Sequence, residues 1–202
     1  MIIEIHTHTA EHSPCSMVTA AELAVAIHAK GASGLVLTDH HYLWPEEEIE
    51  KLRSSLLLSD DFLILAGQEV FTSDFGDILV YGADQSITQR VNLAALRRMY
   101  PSAALVWAHP YRGGQRPSTV ELFNANLDAV EILNPRQKDD ENAMGMAEWQ
   151  RWSFAATSGS DIHVKDFAFY PVSLERSIGN INDLALCIKQ GLCKPASYVP
   201  QL

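Results

Sequence analysis

The sequence has no CxxC pair, no run of lysines and arginines, no stretch of 18 apolar residues and no long glycine/serine linker. Each absence removes a class. Three cysteines (Cys15, Cys187 and Cys193) without paired spacing make neither a disulfide framework nor a zinc finger, and free thiols fit a reducing, cytoplasmic setting. Without a long apolar run, no membrane-spanning helix is expected. Without a basic segment ahead of an apolar stretch, no signal peptide is expected. The formal net charge is −10 and no basic patch stands out, so no extended nucleic-acid groove is expected. A small phosphorylated substrate stays open, because bound cations would reverse the sign locally. No repeat divides the 202 residues, which suffice for one well-buried domain over 1–202. Nothing in the sequence fixes the oligomeric state.

What is present is an alternation of short apolar strands and helical segments. Ile2 to His6, Gly34 to Thr38, Phe62 to Val70, Asp77 to Tyr81, Ala103 to Ala108, Ala129 to Leu133 and Phe154 to Thr157 read as strands. Between them, Thr19 to Lys30 has helical composition, with Thr19 and Glu22 spaced as a capping box and Gly31 as a stop. Pro45 to Leu58, Thr88 to Met99, Ser118 to Asn124, Asp140 to Trp152 and Asn182 to Lys189 also read as helical. Continuous apolar strands alternating with helices predict an α/β fold with mostly parallel strands, covered on both faces.

Polar residues gather where these strands end: His6-Thr7-His8, Thr38-Asp39-His40-His41, Gly67-Gln68-Glu69, Ala108-His109-Pro110, Leu133-Asn134-Pro135-Arg136 and Gly159-Ser160-Asp161-Ile162-His163. Parallel strands deliver such ends to one face. A closed barrel also gathers them around one axis, whereas an open sheet concentrates ligands at one crevice. The distribution over nearly every strand therefore favours a barrel. Residues i and i+2 of a strand share a face, so His6 and His8, or Asp161 and His163, can reach one ion together. A histidine–carboxylate mixture suits zinc, manganese or iron better than a purely oxygen-liganded ion. One strand-end histidine is most often an ordinary hydrogen-bonded residue; several in one register are not. His28, mid-helix among alanines, reads as structural.

The ordered set IHTHT (5–9), LTDHH (37–41), GQEV (67–70), AHP (108–110) and GSDIH (159–163) resembles the PHP family, the polymerase-and-histidinol-phosphatase superfamily of metal-dependent phosphoesterases. The resemblance implies a distorted (β/α)7 barrel holding two or three divalent ions, zinc, manganese or iron, with magnesium also seen in the family. It implies that His6, His8, Glu69 and Asp161 bind a first ion, that Glu69 bridges to a second ion also held by His109, and that His40 and His163 hold a third. An early His or Asp usually completes that third site; His12 is the nearest candidate, at an unusual spacing. Asp77 stands where family members often carry a histidine opening the next strand, giving the second site more oxygen character or, alternatively, marking a turn after Gly76. Asp39 is expected to support the histidines from behind.

The activity implied is hydrolysis of a small phosphomonoester or nucleotide by a metal-activated water, with Glu69 and Asp161 at the reacting centre. Arg112 and Arg136 follow strands on the same face and suit phosphate through their forked donors. Arg116 is an alternative cation, and His41 and Tyr111 are candidates for the pocket, His41 as a proton donor. Ser13 and Cys15 follow the first motif without a partner that would make either a nucleophile. Two competing readings are a non-catalytic metal-binding regulatory domain and a metal-dependent hydrolase of C–N bonds. The latter barrels commonly use a metal-bridging lysine, and no lysine occupies such a strand end here.

Overall fold

The computed structural model describes residues 1–196. Within them lie ten strands: β1 (Ile2–Ile3), β2 (Gly34–Leu37), β3 (Leu63–Ala66), β4 (Gln68–Thr72), β5 (Gly76–Tyr81), β6 (Ala104–Trp107), β7 (Ala129–Leu133), β8 (Ala156–Ser158), β9 (Val172–Leu174) and β10 (Cys193–Pro195). Six helices alternate with them: α1 (Ala20–Ala29), α2 (Glu46–Ser54), α3 (Leu93–Met99), α4 (Thr119–Leu122), α5 (Asp139–Trp152) and α6 (Ile181–Lys189). The fold is α/β, as its sequence alternation predicts. The Thr19/Glu22 capping box at α1 is formed, Thr19 Oγ1 accepting from Glu22 N and the Glu22 carboxylate from Thr19 N.

The sheet order is mixed. The strands form three hydrogen-bonded sheets, ordered β1-β9-β10, β2-β3 and β4-β5-β6-β7-β8. The expectation of mostly parallel strands needs correction at β9, antiparallel to both β1 and β10, and at β5, which runs antiparallel to both β4 and β6, only a tight turn (Ser73–Phe75) separating β4 from β5. The single strand expected over 62–70 is interrupted at Gly67, where a Cβ would meet the Tyr81 ring at 3.0 Å. The ladder is broken there: β3 pairs with β2 and β4 with β5. The sequence reading also missed β9 and β10, three-residue strands too short for a period-2 pattern and flanked or ended by proline.

Isolated parallel bridges join the sheets at the end where the polar motifs lie. Glu4 pairs with Leu35, Thr7 with Ile162 and His40 with Glu69. The chain beyond β1 is thereby held between the β2 end and the β8 end, with His8 N donating to Ile162 O and Thr38 N to Thr7 O. Beneath this face lies a core built from Ile3, Ile5, Val36, Leu79, Tyr81 and Val106, all fully buried. The Tyr81 hydroxyl donates to Ile5 O at 2.8 Å, so this buried phenol is satisfied under the site. No helix among the described residues is long and apolar enough to cross a membrane.

Candidate metal centre

The segments after β1, β2, β6 and β8, together with β4, bring His6, His8, His40, Glu69, His109, Asp161 and His163 together. His6 Nε2 and His8 Nε2 face each other at 3.2 Å. Glu69 stands between four imidazoles: its Oε1 is 3.4 Å from His6 Nε2 and 3.1 Å from His109 Nε2, and its Oε2 is 3.3 Å from His8 Nε2 and 3.0 Å from His40 Nδ1. Asp161 Oδ1 lies 3.6 Å from His6 Nε2 and 3.3 Å from His8 Nε2. Three groups of ligand atoms result, each mutually within 4.8 Å: His6–His8–Asp161, His6–Glu69–His109, and His8–Cys15–His40–His163.

Burial and charge show what such a centre requires. His6, His8, Glu69 and Asp161 are at most 3% exposed. Burial opposes charge on His6, yet Glu131, Asp161 and Glu69 hold its pKa well above the usual imidazole range. His8, also opposed by burial, is raised to about 9 by its bonds to Asp161 and Glu69. Burial alone would push Glu69 and Asp161 up, but the surrounding histidines hold both well below the usual carboxylate range. The cluster draws positive charge into its centre, and protons take that place when no cation does. Imidazole nitrogens converging on buried carboxylates are the donor set of a zinc, manganese or iron site, so these residues fit divalent ions. Backbone strain accompanies the ligands: His109 and Asp161 have φ of 33° and 46°, a left-handed conformation that non-glycine residues adopt at a cost and that clusters at functional sites.

The residues behind the cluster are as ordered as the cluster itself. Asp39 accepts from Thr9 N and Thr9 Oγ1 (both 2.7 Å), Ser13 Oγ (2.5 Å) and Trp44 Nε1 (2.7 Å). It fixes the loop carrying His8, in the supporting position expected for it. Sequence reasoning missed Glu131 and Glu4. Glu131, fully buried in β7, accepts from His6 Nδ1 at 2.9 Å on one oxygen, and from His109 N and Asn134 Nδ2, each at 2.9 Å, on the other. Holding the His6 Nδ1 proton leaves the Nε2 lone pair for an ion. An acid in the middle of the apolar run AVEIL was the available signal. Glu4, whose pKa burial raises to about 7, ties the β1 end to the GSDIH loop through His6 N (2.8 Å), Ser160 N (3.0 Å) and Ser160 Oγ.

Gly159 is what lets these parts meet. A Cβ there would lie 2.2 Å from Glu131 Oε1 and 2.5 Å from His6 Cβ. Gly159→Ala is expected to lose about 1–3 kcal/mol of stability by overpacking, and to release bound metal by turning His6. Denaturant midpoints and metal content on one sample check this; a variant equal to the parent in both contradicts the packing described.

Other expected residues are placed as follows. Asp77 belongs to β5 rather than to a turn, with Oδ2 3.8 Å from His109 Nε2, and burial raises its pKa. It lines, with His109, Arg112, Arg116, Phe75 and Trp107, a cavity of about 520 Å³ beside the cluster. Arg112 donates through Nη2 to Asp161 Oδ2, and Arg136 Nε lies 3.8 Å from the same oxygen. The structure does not bring His12 or His41 to the cluster. His12 pairs with Glu48 at 3.1 Å and stacks on Tyr42, its ring being drawn to an acid and two aromatics instead. His41 has both ring nitrogens on backbone, Nδ1 donating to Ile87 O at 2.7 Å and Nε2 accepting from Phe71 N at 3.4 Å, which leaves none for proton transfer. Tyr111 is buried under α5, its hydroxyl 3.4 Å from Glu148.

No family model and no curated protein matches the chain. Solved structures do. A two-domain protein from Bacteroides vulgatus containing a predicted PHP-like metal-dependent phosphoesterase matches 96% of this chain at 16% identity and TM-score 0.66. This chain spans 63% of that protein's length. A protein from Bifidobacterium adolescentis assigned as a metal-dependent phosphoesterase matches over 92% of this chain and 96% of its own, at 14% identity and TM-score 0.62. An amidohydrolase from Chromobacterium violaceum, with bound sulfate and no metal, matches over 80% of this chain and 87% of its own, at 14% identity and TM-score 0.58. The chain has the fold of PHP-like metal-dependent phosphoesterases, and at these identities the likeness concerns fold alone.

Proposed function

We propose that the chain is a metal-dependent hydrolase cleaving a small phosphomonoester or nucleotide, water displacing the alcohol to leave inorganic phosphate. The observation that carries the reading is the buried convergence of His6, His8, Glu69, His109 and Asp161 beside an open cavity lined by Arg112 and Arg116. Divalent ions held there would supply a Lewis acid for phosphoryl oxygens and make water available as a nucleophile near neutral pH. The proposed centre holds two or three ions of zinc, manganese or iron, with magnesium an alternative. His6, His8 and Asp161, with Glu69, would hold the first, and Glu69 and His109 would hold a second, with Asp77 beside it. His40 and His163 serve a third.

The protein's own groups do the positioning. Arg112 Nε is buried without a hydrogen-bond partner among the described residues, and Arg112 Nη2 already rests on Asp161. The outer edge of the guanidinium, on a side chain 36% exposed, lines the cavity and can donate to a phosphoryl oxygen beside the cluster. Arg136, half exposed, stands ready on the Asp161 side. The bridges Glu4–Leu35, His40–Glu69 and Thr7–Ile162 support the finer reading of a distorted (β/α)7 barrel. The proposal takes it as one domain over 1–202 acting in the cytoplasm, as its free thiols suggest.

Hydrolysis of a C–N bond is the second reading, favoured by the amidohydrolase match. Assay of phosphomonoesters, phosphodiesters and cyclic amides with manganese and zinc separates the two; turnover of amides but no phosphoester overturns the proposal. Arg112→Ala is expected to raise KM for a phosphomonoester about tenfold, the low end for a charge-assisted bond, because this side chain is partly exposed. Metal content must be followed in parallel, since Arg112 also touches Asp161. Unchanged kinetics would return Arg112 to the ordinary surface cations.

A further inference from the structure

The third group contains a sulfur that the reading above leaves unused. Cys15 Sγ lies within 4.8 Å of imidazole nitrogens of His8, His40 and His163. Its loop is pinned on both sides. Ser13 Oγ donates to Asp39 and Ser13 N to Thr9 O; Ser16 Oγ donates to His8 O at 2.9 Å; Met17 N donates to His163 O at 2.9 Å. The thiol is thus presented to the histidines by an ordered turn, although the residue remains exposed.

Each ring nitrogen has one lone pair, which decides how the ligands divide. His8 Nε2 faces Glu69 and Asp161, both at 3.3 Å, and so belongs to the first ion. His163 Nδ1 donates to Asp161 O at 2.8 Å, which leaves Nε2 with its lone pair. His40 Nδ1 likewise points at Glu69 Oε2, at 3.0 Å, and its Nε2 keeps a lone pair; Cys15, His40 and His163 remain. Around a tetrahedral zinc, with Zn–S about 2.3 Å and Zn–N about 2.0–2.1 Å, sulfur and nitrogen are separated by roughly 3.6 Å. Closing the group from its present span takes small side-chain rotations. His12, the other early candidate, is engaged by Glu48 and Tyr42.

We propose that Cys15 is a metal ligand, its thiolate joining His40 and His163 in a third site with one coordination position open. The proposal rests on the metal-centre reading above. A thiolate is a soft ligand, so this site takes zinc, iron or cobalt in preference to magnesium or manganese. The site built on Glu69 and Asp161 has more oxygen and is the more permissive of the two. Under manganese alone, the third position is therefore the one expected to stay empty.

The test uses the full-length protein, stripped of metal and reloaded with cobalt(II) under anaerobic conditions. A thiolate on cobalt gives a sulfur-to-metal charge-transfer band in the near ultraviolet, which needs no activity to observe. The band is expected in the parent and absent in Cys15→Ser, with cobalt content lower by one ion per chain in the variant. Cys187 and Cys193 are buried, so reaction with a thiol reagent under native conditions reports on Cys15, and cobalt is expected to suppress it. Cobalt uptake without the band, or a band that survives in Cys15→Ser, overturns the Cys15 assignment while leaving the Glu69 centre standing. No cobalt uptake at all overturns both.

Discussion

Glu69→Gln is expected to cost one bound ion per chain and to cut turnover about a hundredfold or more, the effect of losing ~2.7 kcal/mol of transition-state stabilisation. Glu69 is 1% exposed and its two oxygens meet four imidazoles, two on each side. A carboxylate in that position offsets repulsion between two cations and offers each an oxygen. The amide keeps shape and volume but loses the charge, and one end becomes a donor. It is a poor bridge, while the core beneath, built on Leu79, Tyr81 and Val106, is untouched. A solvated surface acid would change stability by less than about 0.5 kcal/mol and leave activity alone, but the burial of Glu69 already removes that description. Metal content and phosphatase turnover measured on the same sample check the expectation. Full metal content with parental turnover would end the bridging role.

Glu131→Gln is expected to lower metal affinity or turnover by roughly 10- to 100-fold, although Glu131 lies in none of the three ligand groups. Both its oxygens are acceptors in use, one for His6 Nδ1 and the other for His109 N and Asn134 Nδ2. Glutamine offers one acceptor. Its amide hydrogens must face either the His6 ring proton or the His109 backbone N–H. In the first case His6 is driven to the tautomer whose Nε2 carries the proton, and its lone pair no longer points at the ion. In the second a buried donor is left unpaired, at about 1–3 kcal/mol. Metal titration with thermal unfolding distinguishes the two routes. A variant that binds metal like the parent and melts at the parental temperature would make Glu131 a bystander.

The residues that cluster are legible in the sequence because their signal is local. A polar residue directly after an apolar strand needs no knowledge of the partner strands, and the HTH, DHH, GQE, AHP and GSDIH segments each carry that pattern. His6, His8, His40, Glu69, His109, Asp161 and His163 do meet. What escaped depends on long-range geometry. The reversal of β5 follows from a turn that reads equally well as a loop. Glu131 sits inside a strand and looks like one charged interruption in AVEIL; only the approach of His6, allowed by Gly159, gives it a purpose. His12 and His41 were assigned by proximity in sequence, but Glu48 with Tyr42, and the Ile87 and Phe71 backbone, take their rings elsewhere. Cys15 looked like a lone thiol because the histidines around it come from three separate strand ends.

The account stands most directly on metal content. Protein purified without exposure to chelator is expected to carry at least two divalent ions per chain by elemental analysis, and stripped protein to take up the same number on titration with zinc or manganese. Ions bound by the folded state also raise its melting temperature, in proportion to the logarithm of their free concentration over Kd. Protein that carries no divalent ion, takes up none on titration and melts at the same temperature with and without metal would contradict the reading of the His6–His8–Glu69–His109–Asp161 cluster as a metal centre.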